Sequence, residues 1–250
     1  MAAQALIDRG DGVRLAYALE RGRAPTVVFL PGYLSDMGGT KAQHLAGWGR
    51  ARGQAVLRLD YSGCGASEGD FAQGSIRRWA ADAAAVLTAA APDGPLILVG
   101  SSMGGWIMLH LALMLPSRLA GLVGVAAAPD FTRWGLRLTE ADRARLAEAG
   151  HVARPSPYGP EPTRYHAAFL ADAESACLLD RPIPVPVPVR LIHGMADEVV
   201  PWGVSLRLLE ALESPDARLL LVKGGDHRLS APAHLALLTR TVEELLGEDQ

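Results

Sequence analysis

Short apolar runs alternate with helical segments along most of the chain. Runs rich in Val, Ile, Leu and Ala predict buried strands of a parallel sheet, and they lie at residues 26–30, 54–59, 95–99, 119–127, 187–193 and 218–222. The stretches between them predict helices at residues 40–52, 75–91, 106–115 and 231–246, with another helix opened by Pro201. Residues 4–19 alternate around a Gly-Asp-Gly turn, which predicts an antiparallel hairpin. This order of elements predicts an α/β fold in which helices flank a mostly parallel, twisted sheet.

The strand–helix rhythm breaks between the sixth and seventh strands, from about residue 128 to residue 181. A charged helix is predicted at residues 139–149, followed by a proline-rich coil around residues 155–162 and a further segment at residues 165–179. An insertion of this length between two strands is typical of a lid over a binding site. We therefore expect a single domain over residues 1–250, with a lid insertion at about 128–181.

The strand at residues 95–99 leads into Gly100-x-Ser102-x-Gly104, which is the pattern of a nucleophile elbow. In this turn the serine adopts a strained backbone conformation, so small neighbours are needed for the strand and the following helix to approach each other. The turn would place the Ser102 hydroxyl at the carboxyl edge of the sheet and at the N-terminus of a helix, where negative charge is favoured. The alternative is a tight turn with an ordinary surface serine.

Asp197 and His227, which lie much later in the chain, complete the order that a Ser-Asp-His triad takes on such a sheet. Asp197 follows the seventh strand and His227 follows the last one, so both side chains reach the edge that carries Ser102. An imidazole is needed to remove the proton of a serine hydroxyl, and a carboxylate is needed to orient that imidazole. The triad is therefore predicted to consist of Ser102, Asp197 and His227.

Other carboxylates and histidines remain alternatives for the same roles. The rival acids are Asp130, which follows the sixth strand, and Glu198 and Asp226. His193 belongs to the seventh strand, where we expect it to pack. His110 lies two turns along the helix after the elbow, too deep to reach Ser102.

The strand at residues 26–30 stops at Pro31-Gly32-Tyr33, beside the predicted elbow. We expect the backbone N–H groups of Tyr33 and Met103 to form an oxyanion hole, which binds the negative charge that develops during acyl transfer. A plain strand-to-loop turn at Pro31 is the alternative.

The insertion carries aromatic and apolar residues that we expect to line an apolar acyl pocket. They are Phe131, Trp134, Leu136, Tyr165, Phe169 and Leu170. The alternative is that these side chains pack the insertion onto the helices. Arg133 and Arg137 would be placed to bind a carboxylate on a leaving group, although arginines on a solvated helix are common.

Composition argues against several other classes of function. The net charge is −3, and the 24 lysine and arginine residues are scattered, so there is no basic patch for nucleic acid or an anionic membrane. The sequence has no P-loop, no HExxH motif and no paired His/Cys spacing, so we expect no metal and no other cofactor. Cys64 and Cys177 are too few for a disulfide framework, and we expect free thiols in a reducing compartment. The longest apolar run, residues 106–115, is too short to span a bilayer, and the N-terminus lacks a targeting pattern, so we expect a cytoplasmic protein without integral membrane contact.

Several motifs together resemble the α/β-hydrolase domain-containing protein 10 family. The resemblance covers about residues 15–245, and its motifs lie at residues 31–33, 39–42, 60–65, 99–106, 177–179, 182–184, 188–195, 200–202 and 226–228. It implies the α/β-hydrolase fold, the triad Ser102, Asp197 and His227, and activity as a palmitoyl-protein thioesterase or an esterase of acyl glucuronides. The sequence departs from the family by lacking a transit peptide and by a divergent insertion at residues 132–174, so we expect a bacterial member. The difference in the insertion leaves the substrate open but not the chemistry.

These observations predict a serine hydrolase that cleaves a carboxylic thioester or ester through an acyl-enzyme. Its partner would be a small acyl ester or thioester, or an S-acylated protein. The alternatives are a carbon–carbon bond hydrolase or a peptidase that uses the same triad, and a non-catalytic relative that holds an acyl ligand under the lid.

Overall fold

The N-terminal half of the chain forms a hairpin followed by alternating strands and helices. The computed structural model describes residues 2–156 and 159–247, so part of the predicted proline-rich coil lies outside the described residues. The strands of this half are β1 (Gln4–Asp8), β2 (Arg14–Glu20), β3 (Arg23–Leu30), β4 (Gln54–Leu59), β5 (Leu96–Ser101) and β6 (Leu119–Val125). The helices are α1 (Thr40–Arg52), α2 (Ile76–Ala90) and α3 (Met103–Met114). All of these elements were predicted, with boundary differences of a few residues.

The segment that follows β6 departs from the strand–helix alternation, as expected. This segment, residues 128–181, is called the insert below, and it contains α4 (Phe131–Trp134), α5 (Glu140–Ala149), β7 (His151–Arg154), β8 (Thr163–His166) and α6 (Ala167–Ser175). The strands β7 and β8 pair with each other antiparallel. The sequence did not predict this hairpin. Tyr165, placed in one segment over residues 165–179, lies in β8, and the helix that follows ends at Ser175.

The chain then returns to the sheet. The remaining elements are β9 (Ile183–Pro184), β10 (Val189–Gly194), α7 (Gly203–Ala211), β11 (Leu212–Glu213), β12 (Ala217–Val222) and α8 (Pro232–Leu246). The main sheet has the order β1-β2-β4-β3-β5-β6-β10-β12. The pairs β1–β2 and β2–β4 are antiparallel, and every pairing from β4 through β3 to β12 is parallel.

This strand order places the end of β5 where the winding of the sheet changes direction. The chain moves from β3 outward to β4 and then crosses back to place β5 on the other side of β3. Where the direction of winding reverses in a parallel sheet, the loops at the carboxyl ends of the strands separate and leave a binding crevice. The predicted elbow, at the end of β5, lies at this position.

Alternating side chains of the central strands build the core on the two faces of the sheet. In β3, Val28 and Leu30 pack in one cluster with residues of α2 and α3, whereas Val27 and Phe29 pack in another with residues of α1 and α8. Both faces are therefore covered, which explains why the parallel strands lack polar alternation. Within residues 2–156 and 159–247, none of the helices is both long and apolar enough to cross a bilayer.

Candidate active site

The turn between β5 and α3 has the strained geometry of a nucleophile elbow. Ser102 has φ 55° and ψ −123°, a conformation that L-residues rarely adopt. Glycine is required on both sides, because a Cβ on Gly100 would lie 2.5 Å from the Gly104 carbonyl oxygen and a Cβ on Gly104 would overlap the Leu30 carbonyl oxygen. The Gly-x-Ser-x-Gly spacing therefore reflects close contacts between β3, β5 and α3.

The structure brings the three predicted triad residues together. His227, in the loop between β12 and α8, has its Nε2 3.1 Å from Ser102 Oγ. Its other ring nitrogen, Nδ1, lies 2.7 Å from Asp197 Oδ2. This arrangement allows the imidazole to take a proton from the serine while the carboxylate fixes the orientation of the ring.

The carboxylate of Asp197 is saturated with hydrogen bonds. Its Oδ1 accepts from the amides of Val199 and Val200, both at 2.8 Å, and its Oδ2 contacts His227 at 2.7 Å and His193 Nε2 at 3.1 Å. Burial alone would raise the pKa of the Asp197 carboxyl, but the bonds from the two histidines and the Val200 amide outweigh burial and hold that pKa well below its usual range. The group is therefore ionised at neutral pH, as an acceptor for an imidazole must be.

The rival acids and bases occupy other positions. Asp130 accepts hydrogen bonds from the amides of Leu178 and Leu179 and thereby ties the end of the insert to the chain after β6. Asp226 is exposed and accepts from the Leu229 amide. Glu198 is exposed as well.

The two other candidate histidines also have partners of their own. His110 hydrogen-bonds the Ala176 carbonyl at 2.8 Å. His193 is fully buried, as expected, but it does more than pack, because its ring contacts the Asp197 carboxylate. Sequence reasoning missed this contact, and its only signal was the four-residue spacing between His193 and Asp197.

Two backbone segments lie where an oxyanion hole would form. The loop after β3 passes against the nucleophile, since a Cβ on Gly32 would lie 3.2 Å from Ser102 Cβ. Met103 is the first residue of α3, so its N–H has no acceptor within the helix and points with the positive end of the helix dipole. The roles assigned to the Tyr33 and Met103 amides remain predictions that this geometry permits.

The ring of Tyr33 connects the loop beside Ser102 with the insert. Its hydroxyl donates to the Arg164 carbonyl at 2.7 Å, and its ring stacks on Tyr165 with centroids 5.1 Å apart. Phe169 and Phe131 also contact it, with centroids at 5.2 Å and 6.3 Å. Sequence reasoning considered only the amide of Tyr33, and this aromatic cluster arises from residues distant in the chain.

Five of the six predicted pocket residues fall into two groups. Phe131, Tyr165 and Phe169 pack around Tyr33, as the packing alternative proposed, while Leu136 and Leu170 line a cavity of about 590 Å³ within the insert. Trp134 donates its indole N–H to the Pro129 carbonyl at 2.8 Å. The remaining residues that line the cavity are Thr132, Arg133, Arg137, Leu138, Arg143 and Glu174. An acyl-binding role for either group stays a prediction.

Arg133, one of the two arginines predicted to bind a carboxylate, already has acidic partners. It forms ion pairs with Glu174, at 2.6 Å, and with Asp180. Both partners belong to the insert. The ion pairs therefore hold α4, α6 and the end of the insert together at the surface.

The cysteines have the environment of structural thiols. Burial raises the pKa of the Cys64 thiol to about 12, and burial likewise raises that of Cys177 to about 12. Both thiols are therefore protonated and weakly nucleophilic at neutral pH. Among the residues that the structure describes, no group of three or more His, Cys, Asp or Glu side chains is arranged to hold a metal ion.

Comparison with known sequences places the chain among hydrolases. A family model described as serine aminopeptidase, S33 (Hydrolase_4) matches residues 23–155, which is more than half of the chain. The mouse protein named palmitoyl-protein thioesterase ABHD10, mitochondrial, is 40% identical over 250 residues, covering 99% of this chain and 84% of the mouse protein. The human protein of the same name is 38% identical over 245 residues, covering 97% of this chain and 79% of its own length.

Solved structures agree with this placement. Alpha/beta hydrolase domain-containing protein 10 from mouse aligns over 100% of both chains with a TM-score of 0.91 and 39% identity. A putative hydrolase from Agrobacterium vitis S4 aligns over 98% of both chains with a TM-score of 0.91 and 37% identity. Est1E from Butyrivibrio proteoclasticus, bound to ferulic acid, has a TM-score of 0.81 over 98% of both chains at 22% identity and shares the fold. The chain is therefore an α/β-hydrolase enzyme that belongs to the Hydrolase_4 family and to the family of the palmitoyl-protein thioesterase ABHD10.

Proposed function

We propose that this hydrolase cleaves carboxylic thioesters or esters, with Ser102 as nucleophile, His227 as general base and Asp197 as the carboxylate that orients the base. The observation that carries the proposal is the continuous chain of hydrogen bonds from Ser102 Oγ through both nitrogens of His227 to Asp197 Oδ2, at 3.1 Å and 2.7 Å. A serine hydroxyl is a weak nucleophile until such a base removes its proton.

The first half of the reaction transfers the acyl group to the enzyme. Ser102 Oγ attacks the carbonyl carbon of the substrate while its proton moves to His227 Nε2. The carbonyl oxygen becomes an oxyanion, which the amides of Tyr33 and Met103 stabilise beside the N-terminus of α3. When the tetrahedral intermediate collapses, the bond to the leaving thiol or alcohol breaks, and His227 gives that group the proton.

Water completes the cycle by the same route. His227 Nε2 removes a proton from a water molecule, whose oxygen attacks the acyl carbon of the Ser102 ester. Collapse of the second intermediate releases the carboxylic acid and returns the proton to Ser102 Oγ. Asp197 stays ionised throughout and stabilises the imidazolium that forms twice in each cycle.

The relatives support an S-acylated or O-acylated substrate. Proteins named palmitoyl-protein thioesterase share 38% and 40% identity with nearly the whole chain. The aromatic cluster around Tyr33 supports the same assignment, because Tyr33 and Tyr165 are partly exposed and would offer apolar contacts to an acyl chain beside the loop that adjoins Ser102. We infer a long-chain acyl thioester as the first substrate to test, with an S-acylated protein as its natural form.

A fluorophosphonate probe tests the proposal, because it labels only a serine that is activated as a nucleophile. We expect the wild type to take up one label at Ser102 and the Ser102→Ala variant to take up none and to lose turnover. Absence of label on folded wild-type protein would contradict the catalytic assignment and would favour the alternative of a non-catalytic acyl-ligand-binding protein.

A substrate panel then separates the remaining possibilities. It compares a long-chain acyl thioester, a short p-nitrophenyl ester, an acyl glucuronide, an aminoacyl amide and a carbon–carbon substrate such as a β-diketone. We expect the highest kcat/KM for the thioester. A preference for the amide or the β-diketone would instead support the alternatives of a peptidase or a carbon–carbon bond hydrolase.

A further inference from the structure

Asp197 binds a second imidazole that the proposed mechanism does not use. His193, in β10, is fully buried, and its Nε2 lies 3.1 Å from Asp197 Oδ2. The same oxygen lies 2.7 Å from His227 Nδ1, so two rings share one acceptor atom. The other oxygen, Oδ1, is occupied by the amides of Val199 and Val200 at 2.8 Å. The orientation of the carboxylate is therefore fixed, and both imidazole rings contact Oδ2.

The contacts of His193 determine which nitrogen carries its hydrogen. Nε2 lies 2.9 Å from the Val200 carbonyl oxygen, which can only accept, so Nε2 is the donor to both Val200 and Asp197. In a neutral ring Nδ1 is then an acceptor, and Ser205 Oγ, 2.6 Å away, donates to it. Ser205 belongs to α7 and is 1% exposed, so its hydroxyl and the His193 nitrogen that it contacts are shielded from solvent.

We propose that His193 and Ser205 are positioning residues that set the orientation and the basicity of Asp197 and, through it, the ease with which His227 accepts a proton. The inference rests on the proposed function. The N–H of His193 donates a hydrogen bond to Oδ2 and partly neutralises its negative charge. That oxygen therefore stabilises a positive charge on His227 less strongly than it would without His193. Ser205 keeps the hydrogen of His193 on the nitrogen that faces Asp197.

Among the described residues, the titratable groups that contact the Asp197 carboxylate come from one strand and one loop. They are His193 from β10 and His227 from the loop between β12 and α8. Because His227 is required for turnover under the proposed mechanism, His193 is the group through which the environment of the acid can be changed while the triad stays intact.

The His193→Leu variant removes the donor and keeps an apolar side chain of similar bulk. We expect kcat to fall by about 10- to 100-fold, the range for loss of a hydrogen bond to a charged group, while KM changes little. The acidic limb of the kcat/KM profile should move to higher pH, because a carboxylate with one donor fewer stabilises the protonated form of His227 more strongly. A purely structural residue would not shift this limb.

The His193→Gln variant provides the rescue. Its amide nitrogen can occupy the place of Nε2 and donate to Oδ2, so it should restore most of kcat and return the acidic limb toward the wild-type position. The matched control is His110→Leu, which removes an imidazole bound to the Ala176 carbonyl and leaves Asp197 untouched. We expect its acidic limb to coincide with that of the wild type.

Each kcat is calculated per active site, and the concentration of active sites is measured by titration with the fluorophosphonate. A partly misfolded sample is therefore not mistaken for a variant with a lower kcat. Ser205→Ala is the second test if His193→Leu does not fold. Its control is Thr239→Ala, whose buried hydroxyl donates to the helix carbonyls of Leu235 and Ala236. We expect Ser205→Ala to shift the acidic limb in the same direction and Thr239→Ala to leave it in place.

Two results would overturn the inference. One is a folded His193→Leu or Ser205→Ala enzyme with wild-type kcat and an unmoved acidic limb, and the other is a His193→Gln enzyme no more active than His193→Leu. Failure of the proposed function looks different, because the wild type itself would then neither take up the fluorophosphonate nor turn over an acyl substrate.

Discussion

At the residue scale, the site depends on glycines that lie so close to neighbouring backbone and side-chain atoms that there is no room for a side chain. Ser102 is held at φ 55° between a strand and a helix that approach each other through Gly100, Gly104 and Gly105. Gly105 faces Ala127, where an added Cβ would lie 2.5 Å from the alanine Cβ. Strain of this kind persists only where the surrounding structure enforces it. The small residues therefore have a geometric role that is separate from the chemistry of the serine.

Replacing Gly104 by alanine tests that role. The new methyl group would overlap the Leu30 carbonyl oxygen, and backbone atoms cannot move aside, so we expect a loss of about 1–3 kcal/mol of stability together with loss of fluorophosphonate labelling. The control is Gly203→Ala at the start of α7, where an added Cβ meets nothing within 4 Å. Thermal unfolding and labelling are measured for both. A Gly104→Ala protein that labels like the wild type would show that the contact can relax.

The identity of the acid is tested by a pair of matched substitutions. Asp197→Asn should lower kcat by about 10⁴-fold, because an amide no longer enforces the tautomer of His227 that accepts the serine proton. Asp130→Asn should destabilise the protein, since Asp130 accepts two buried amides, but should leave kcat per titrated site within a few fold. If the two variants exchanged these phenotypes, Asp130 would be the acid.

At the element scale, the insert is attached to the hydrolase sheet through aromatic packing. Tyr33 belongs to the loop that adjoins Ser102, and its side chain reaches the hairpin β7–β8. Its hydroxyl donates a hydrogen bond to the Arg164 carbonyl at 2.7 Å. The ring also contacts Phe169 of α6. A change in the position of the hairpin would therefore be transmitted to the loop that carries the Tyr33 amide.

The Tyr33→Phe variant removes the hydroxyl and keeps the aromatic ring, so it tests the hydrogen bond apart from the packing. We expect stability to fall by about 0.5–1.5 kcal/mol, the usual contribution of one hydrogen bond, and amide hydrogen exchange in the hairpin to become faster while the aromatic packing persists. Tyr17→Phe is the control, because the Tyr17 hydroxyl has no hydrogen bond among the described residues. Unchanged exchange in the hairpin of Tyr33→Phe would show that packing alone attaches it.

How far the sequence predicts these elements depends on whether their signal is local. The central parallel strands were predicted because both of their faces are buried and their sequences are therefore largely apolar, as in β5, whereas β1 and β2 were predicted from the alternation around the Gly-Asp-Gly turn. The proximity of Ser102, Asp197 and His227 could be predicted because each residue follows the end of a strand, and their catalytic roles stay a proposal. The hairpin β7–β8 was missed since its strands have four residues each, are partly polar and pair only with each other. The Tyr33 cluster was missed because it joins Tyr33 to residues of the insert, which lie far from it in the chain and leave no periodic pattern in the sequence.

At the scale of the whole molecule, a helix from near the start of the chain contacts the loop that carries His227 and the last helix. Lys41, in α1, donates to the Arg228 carbonyl at 2.5 Å, and Arg228 directly follows His227. Trp48, also in α1, donates its indole N–H to Glu243 of α8 at 2.8 Å. An early helix thus contacts the loop that presents the proposed base, although five of the eight strands of the main sheet lie between them in sequence.

The partly buried ammonium group in this contact predicts how stability depends on pH. Burial lowers the pKa of Lys41 to about 8, from an ordinary value of 10.5 in the unfolded chain. Between these values the unfolded chain binds more protons than the folded one, so this group makes the free energy of unfolding rise with pH. The rise amounts to about 1.4 kcal/mol for each unit by which the two pKa values differ.

Lys41→Met removes the titrating group and most of that slope. We expect denaturant unfolding between about pH 8 and pH 10.5 to show the wild type gaining stability relative to the variant as pH increases, over the window set by the two pKa values of Lys41. Lys223→Met, at an exposed lysine, is the control, and its curve should run parallel to that of the wild type. Parallel curves for wild type and Lys41→Met would mean that the Lys41 ammonium remains hydrated when the protein folds. In that case α1 would hold the loop after His227 through packing, and the bond to the Arg228 carbonyl would contribute little.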